Sequence, residues 1–162
     1  MDLITEPTQE TLWRTLHTVS EWVKFADAKA GATLALSGAM LALLSGRLRE
    51  VPEPPTASLI MLYVSVALAG VSALLAVWTV LPRTRRLGAN SLIHYGTIAR
   101  FASAEHYRTA MLAALADPAA FDAALAHHVW TIARAATRKY VLVTWAIRFL
   151  AAALVVGVAT VV

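Results

Sequence analysis

LIMLYVSVALAGVSALLAVWTVL, residues 59–81, runs for 23 positions without a charged side chain. At about 1.5 Å of rise per residue, a helix of that length crosses the ~30 Å hydrocarbon core of a bilayer with a little to spare. Pro54 and Pro55 stand just before it and Pro82-Arg83 close it. Tyr63 and Trp78 sit near its two ends, where amphipathic rings prefer the headgroup region. The stretch reads as a transmembrane helix, and the rest of the chain is organised around it.

On its N-terminal side lies a short loop, 47–58, in which Arg47 and Arg49 are set against Glu50 and Glu53. Ser45-Gly46-Arg47 and the Pro52, Pro54, Pro55 cluster are expected to end the preceding helix. That helix holds a second uncharged stretch, 30–46, long enough to cross most of a hydrocarbon core. Upstream, over 1–29, Leu12, Leu16, Val19, Val23 and Ala26 recur at helical spacing opposite Arg14, Ser20 and Lys24. This predicts an amphipathic helix that opens at Thr5-Glu6-Pro7 and runs unbroken into the first span. Asp2, Glu6, Glu10 and Glu21 argue against a cleaved signal peptide, so the N-terminus is expected to be retained.

Beyond Pro82 the composition changes. Residues 82–140 carry eight basic and three acidic side chains and all but one of the five histidines. This segment is wet. Gly88 is expected to interrupt it early, with a helix from Asn90 or Ser91 to Leu115 whose Ile98, Phe101, Met111, Leu112 and Leu115 form a buried stripe. Asp117-Pro118 pairs a capping carboxylate with a proline at the first helical position. From there Phe121, Leu125, Val129, Ile132 and Ala136 form an apolar face. No breaker follows, so one long helix is expected to enter the third span, 141–162, apolar except for Arg148.

The resulting fold class is an all-α membrane protein: three transmembrane helices with a cytoplasmic helical segment between the second and third. Composition agrees, since 59% of the 162 residues are hydrophobic and only 15% charged. Of the fourteen Lys and Arg, eleven fall before residue 30 or within 82–140 and two in the 47–58 loop. The positive-inside rule then places the N-terminus and the basic segment in the cytoplasm and the C-terminus outside, in a bacterial inner membrane. The net charge of +4 is explained by those basic loops, and no nucleic-acid polymer need be invoked. Without cysteine, disulfide and thiolate-metal chemistry is excluded.

Two polar stripes run at helical spacing: Arg83, Arg86, Asn90, His94, and His127, Thr131, Arg134, Arg138. Arg forks suit a small anionic ligand, though the same stripes would serve as solvated faces or meet anionic lipid headgroups. Asp27 and Lys29 stand at the threshold of the first span, and Arg148 lies inside the third. A charge at that depth pairs or snorkels, so Arg148 is expected either to bond Asp27 or Glu21 or to reach the inner headgroups. Small residues four apart, Gly31, Ala35, Ala39 and Ala153, Gly157, favour close helix approach and weakly favour a homo-oligomer. His127 and His128 are adjacent, about 100° apart on a helix, and cannot share a metal in the usual i, i+4 geometry. With no nucleophile elbow, phosphate loop, zinc motif or plausible carboxylate pair, neither an enzyme, a metal site nor a cofactor is expected.

Phe25-Ala26-Asp27-Ala28-Lys29-Ala30-Gly31, then Pro82, then Asn90-Ser91-Leu92-Ile93-His94-Tyr95-Gly96-Thr97-Ile98, then Tyr107, and finally Ile132-Ala133 with Lys139-Tyr140 resemble the transmembrane effectors of Pycsar anti-phage defence. The likeness spans nearly the whole chain. Family members often have Phe-Gly where this chain has Tyr95-Gly96. The resemblance implies that an infection-triggered cyclase makes cCMP or cUMP, that the effector senses it as its activating ligand, and that the inner membrane is compromised. The residue chemistry is compatible, since a monoanionic nucleotide wants Arg for its phosphate and planar or polar groups for its base. Arg83, Arg86, Asn90, His94, Tyr95, Arg134 and Arg138 are the candidate ligand-binding residues on that chemistry, with Asp27, Lys29 and Arg148 as structural or coupling charges. A constitutive holin-like pore and a scaffold recruiting a soluble partner through its basic helices are the alternatives.

Overall fold

The computed structural model describes residues 9–50, 55–81, 92–93 and 95–159, with the side chains of 48–50 and 95 left aside. Among the described residues there is no strand. The elements are α1 (Gln9–Glu50), α2 (Thr56–Val80), the single turn α3 (Tyr95–Ile98), α4 (Ala104–Leu115) and α5 (Pro118–Ala159). The chain is an all-α membrane protein, with α1, α2 and α5 each long and apolar enough to cross a bilayer. It divides into two compact units: residues 1–23 with 83–136, and residues 24–82 with 137–162.

The second unit holds the apolar parts of the three long helices, and its packed faces are read from the buried positions. On α1 these are Ala26, Ala30, Thr33 and Ser37; on α2 Ser65, Ala69, Ser72, Ala76 and Thr79; on α5 Val143, Ala146, Leu150, Ala153 and Gly157. Every step is three or four, the repeat that keeps one narrow seam of each helix facing its neighbours. Most seam residues are small or hydroxylated, with Leu44, Leu62, Val143 and Leu150 the larger side chains buried among them, while many other large apolar side chains point the other way: Leu43, Leu74 and Val155 are all more than two-thirds exposed. That is the inverse of a soluble core, and it suits lipid on the outside.

Hydroxyls bond the helices across this seam. Ser65 Oγ donates to the carbonyl of Ala153 at 2.7 Å and Ser72 Oγ to that of Ala146 at 2.8 Å, which joins α2 to α5. Ser37 Oγ lies 2.9 Å from Ser72 Oγ and joins α1 to α2. Each hydroxyl carries one proton, and each also has a carbonyl within reach, Thr33 for Ser37 at 2.8 Å and Ala146 for Ser72, so the pair shares its protons among three acceptors. Gly157 permits the closest approach: a Cβ there would meet Ser65 Oγ at 3.0 Å and Met40 Cε at 3.1 Å.

Several expectations need correction. Ser45-Gly46-Arg47 does not end the first helix, because α1 continues to Glu50; a single glycine costs a helix only about 1 kcal/mol. Gly31, Ala35 and Ala39 are exposed, while the neighbouring register of Ala30, Thr33 and Ser37 turns inward. The single helix expected up to Leu115 is broken into α3 and α4. Arg100 and Phe101 close the end of α3 with N–H bonds to the carbonyls of Thr97 and Ile98. Ser103, in extended backbone, then caps α4 by accepting from the His106 amide at 3.2 Å. The break separates the expected apolar stripe: Phe101 and Met111 are half-buried, whereas Ile98, Leu112 and Leu115 are exposed. Thr5-Glu6-Pro7, Gly88 and the helix start at Asn90 or Ser91 lie outside the described residues. At the other junction Asp117 accepts from the Ala120 amide at 3.1 Å and Pro118 opens α5, the capping the dipeptide predicts.

Ser72→Ala removes two interhelical bonds and is expected to destabilise the three-helix unit by about 1–2 kcal/mol, near the upper end for such bonds in membranes. Ser45→Ala removes only a bond to its own helix, at Leu41, and is expected to be neutral. Unfolding in mixed detergent micelles measures both.

Candidate functional site

Two groups of residues carry chemistry beyond packing. The first lies at the threshold of the spans. Lys139 on α5 donates through Nζ to both carboxylate oxygens of Asp27 on α1, at 2.6 and 2.7 Å. Two residues further along α1, the Lys29 ammonium lies 5.4 Å from the Tyr140 ring centroid, within cation–π range. Two adjacent residues of α5 thus hold two alternate residues of α1. The ion pair is half-shielded, its Lys139 and Asp27 side chains 25% and 38% exposed, so screening by water weakens it without abolishing it.

The expected Asp27 to Arg148 pair is not formed, because Lys139 occupies the carboxylate. Arg148 lies nine positions further along α5, which at about 100° per residue puts it on the opposite side of the helix. Its guanidinium instead rests 5.0 Å from the Trp145 ring centroid, on an outward face.

The second group lies in the unit of residues 1–23 and 83–136. Phe121, Leu125, His128 and Ala136 turn the inner face of α5 into that unit's core. His127, Trp130 and Arg134 stand on the outer face. The His127 and Trp130 rings are 5.7 Å apart, and the Arg134 guanidinium lies 5.0 Å from the indole centroid. The indole is still 53% exposed. A planar surface beside a forked cation can stack a base and neutralise a phosphate. Arg138, one turn beyond Arg134, is also exposed. Trp130 was missed by sequence reasoning, which read only the polar members of the stripe; a lone tryptophan between His127 and Arg134 on a wet face was the available signal.

The remaining candidates are less well placed for judgement. Arg83, Arg86, Asn90 and His94 lie outside the described residues, and of Tyr95 only its backbone, as the first residue of α3, is described. Among the described residues beside them, Tyr107 on α4 donates its hydroxyl to the Leu92 carbonyl at 3.2 Å and meets Phe101 edge-on at 5.4 Å. One Asp122 carboxylate oxygen in the same unit is buried without a partner. Among the described residues no three His, Asp or Glu side chains gather where they could hold a metal.

These features define a class, a helical membrane protein whose wet unit displays an aromatic and cationic ridge and whose spans are clasped at their threshold. The sequence matches the Pycsar effector protein domain (PycTM) over residues 11–162. The Pycsar effector protein PtPycTM of Propioniciclava tarda is 32% identical over 141 residues, covering 84% of this chain and 68% of that protein. No solved structure matches. The chain belongs to the Pycsar effector family, the membrane effectors of an anti-phage defence. Several residues behind the resemblance now have contacts: Asp27 with Lys139, Lys29 with Tyr140, Tyr107 with the backbone of Leu92.

Asp27→Lys and Lys139→Asp are each expected to lower stability by about 1–3 kcal/mol, and the double exchange to recover at least half of the loss. Thermal unfolding of the detergent-solubilised variants reads the cycle.

Proposed function

We propose that this effector senses a cyclic pyrimidine mononucleotide, cCMP or cUMP, through its wet unit and responds by impairing the integrity of a bacterial inner membrane, with its N-terminus inside and its C-terminus outside. It acts without catalysis. Family membership supports the defence role, and the observation that carries the sensing is the exposed His127–Trp130–Arg134 ridge. The indole offers its surface to the pyrimidine and Arg134 its fork to the cyclic phosphate; Arg138, exposed further along α5, remains a candidate ligand residue. Arg83, Arg86, Asn90, His94 and Tyr95 remain candidate ligand residues.

A ridge turned outward gives a ligand only one wall. A second copy of the chain would supply the other, and two unfilled surfaces support such a homo-oligomer: the Gly31, Ala35, Ala39 stripe on α1 and the exposed Leu112 and Leu115 on α4. The ligand then favours one arrangement of copies, and the unbroken α5 carries the change along its length. Binding can shift such an equilibrium only by its difference in affinity for the two states, about 3–5 kcal/mol for a usable switch.

Liposomes carrying the protein are expected to release an entrapped dye on addition of cCMP or cUMP and to hold it with cAMP. Leakage without nucleotide would favour a constitutive holin-like pore, and none under any condition would favour a scaffold. Trp130→Ala is expected to weaken nucleotide binding in calorimetry by about tenfold to a hundredfold, the worth of one base stack. Unchanged binding in both Trp130→Ala and Arg134→Gln would remove the ridge from the site.

A further inference from the structure

A groove of about 570 Å³ runs between the C-terminal halves of α1 and α5, within the ~300–1,000 Å³ range of small-molecule sites. Its walls include Leu36, Leu43, Leu44, Leu150 and Leu154, and Gly157 contributes to it without a side chain. Arg47 is the one charged residue among those that line it. We propose that this groove binds one anionic phospholipid, an acyl chain lying along the leucines and the phosphate seated on Arg47.

Both halves of the site point to that occupant. The groove belongs to helices that cross a bilayer, so it is bathed in hydrocarbon, and an unfilled apolar concavity forfeits dispersion contacts along its whole lining. A flexible chain can fill it. The guanidinium at the rim needs an anion, and its forked donors match phosphate oxygens; basic residues beside transmembrane helices recruit anionic headgroups in this way. The uncharged spans of a second copy, 30–46, 59–81 and 141–159, contain no carboxylate, so a helix seated along the leucines would bring no anion of its own there, and only Glu50 and Glu53 beyond those spans could meet Arg47, whereas one phospholipid supplies chain and phosphate together. The site does not depend on nucleotide sensing, and Ala39 is the one residue it shares with the α1 stripe offered above to a second copy.

The test is native mass spectrometry of the full chain in detergent, titrated with phosphatidylglycerol or with phosphatidylcholine of the same acyl chains. One phosphatidylglycerol per chain is expected to be retained, in preference to phosphatidylcholine by about fivefold, the effect of one cation near an anionic headgroup. Arg47→Gln is expected to abolish the preference and keep the helical circular dichroism. Ala39→Phe, at an exposed position lining the groove, is expected to fill the groove and lose the retained lipid. Equal retention of the two lipids, or a preference that survives Arg47→Gln, would overturn the assignment. So would an Ala39→Phe protein that keeps its lipid.

Discussion

Three apolar helices in lipid have no hydrophobic reason to touch, since the tails around them are as oily as their own side chains. What holds this bundle is therefore close approach and the few polar bonds it permits. Ser65 and Ser72 of α2 reach past their own helix to the carbonyls of Ala153 and Ala146, and Ser37 of α1 completes the chain through Ser72. Those bonds exist only because Ala69, Ala76, Ala146, Ala153 and Gly157 let the backbones come near enough. Bulk is largely displaced to the outside, where Leu36, Leu43, Leu74 and Leu154 are exposed, and only Leu44, Leu62 and Leu150 are buried among the small residues.

The same constraint explains the clasp at the threshold. A seam of small residues specifies distance better than it specifies register, since an alanine slipped past an alanine changes little. Asp27 with Lys139 and Lys29 with Tyr140 fix α1 against α5 at one level. Breaking the ion pair leaves a half-shielded charge without its counter-charge, so slippage is penalised far more than any alanine contact would penalise it.

The spans were legible from sequence because length and the absence of charge are sufficient signals, and Asp117-Pro118 was legible because capping is local chemistry. The inward registers were not. Gly31, Ala35, Ala39 and Ala30, Thr33, Ser37 are both small stripes at helical spacing, and only the partner helices decide between them. The charge pairing failed for a similar reason: sequence shows that Arg148 is deep in an apolar run, but the half-turn that points it away from the Lys139 face becomes decisive only when α1 is placed. The break before α4 turned on Ser103, whose capping role is cryptic when apolar spacing continues on both sides. At the candidate site the arginines were visible as a stripe, while Trp130 was hidden by the habit of assigning aromatic residues to cores.

α4 has no buried residue, in contrast to every long helix of the bundle. Local stability follows packed apolar contact, so a helix held by a serine cap, an exposed Arg108–Glu105 pair and the Tyr107 contacts lies at the low end of the protein's range. The sensing proposed above would gain from that. A ligand that orders a loosely held segment draws a large difference in free energy from few contacts, whereas one that must repack the serine seam works against its strongest bonds. If the proposed sensing operates, the contrast between a tightly registered bundle and the loosely held α4 favours a response that starts at α4, and α5, which contributes residues to both units, is the continuous covalent route out of it.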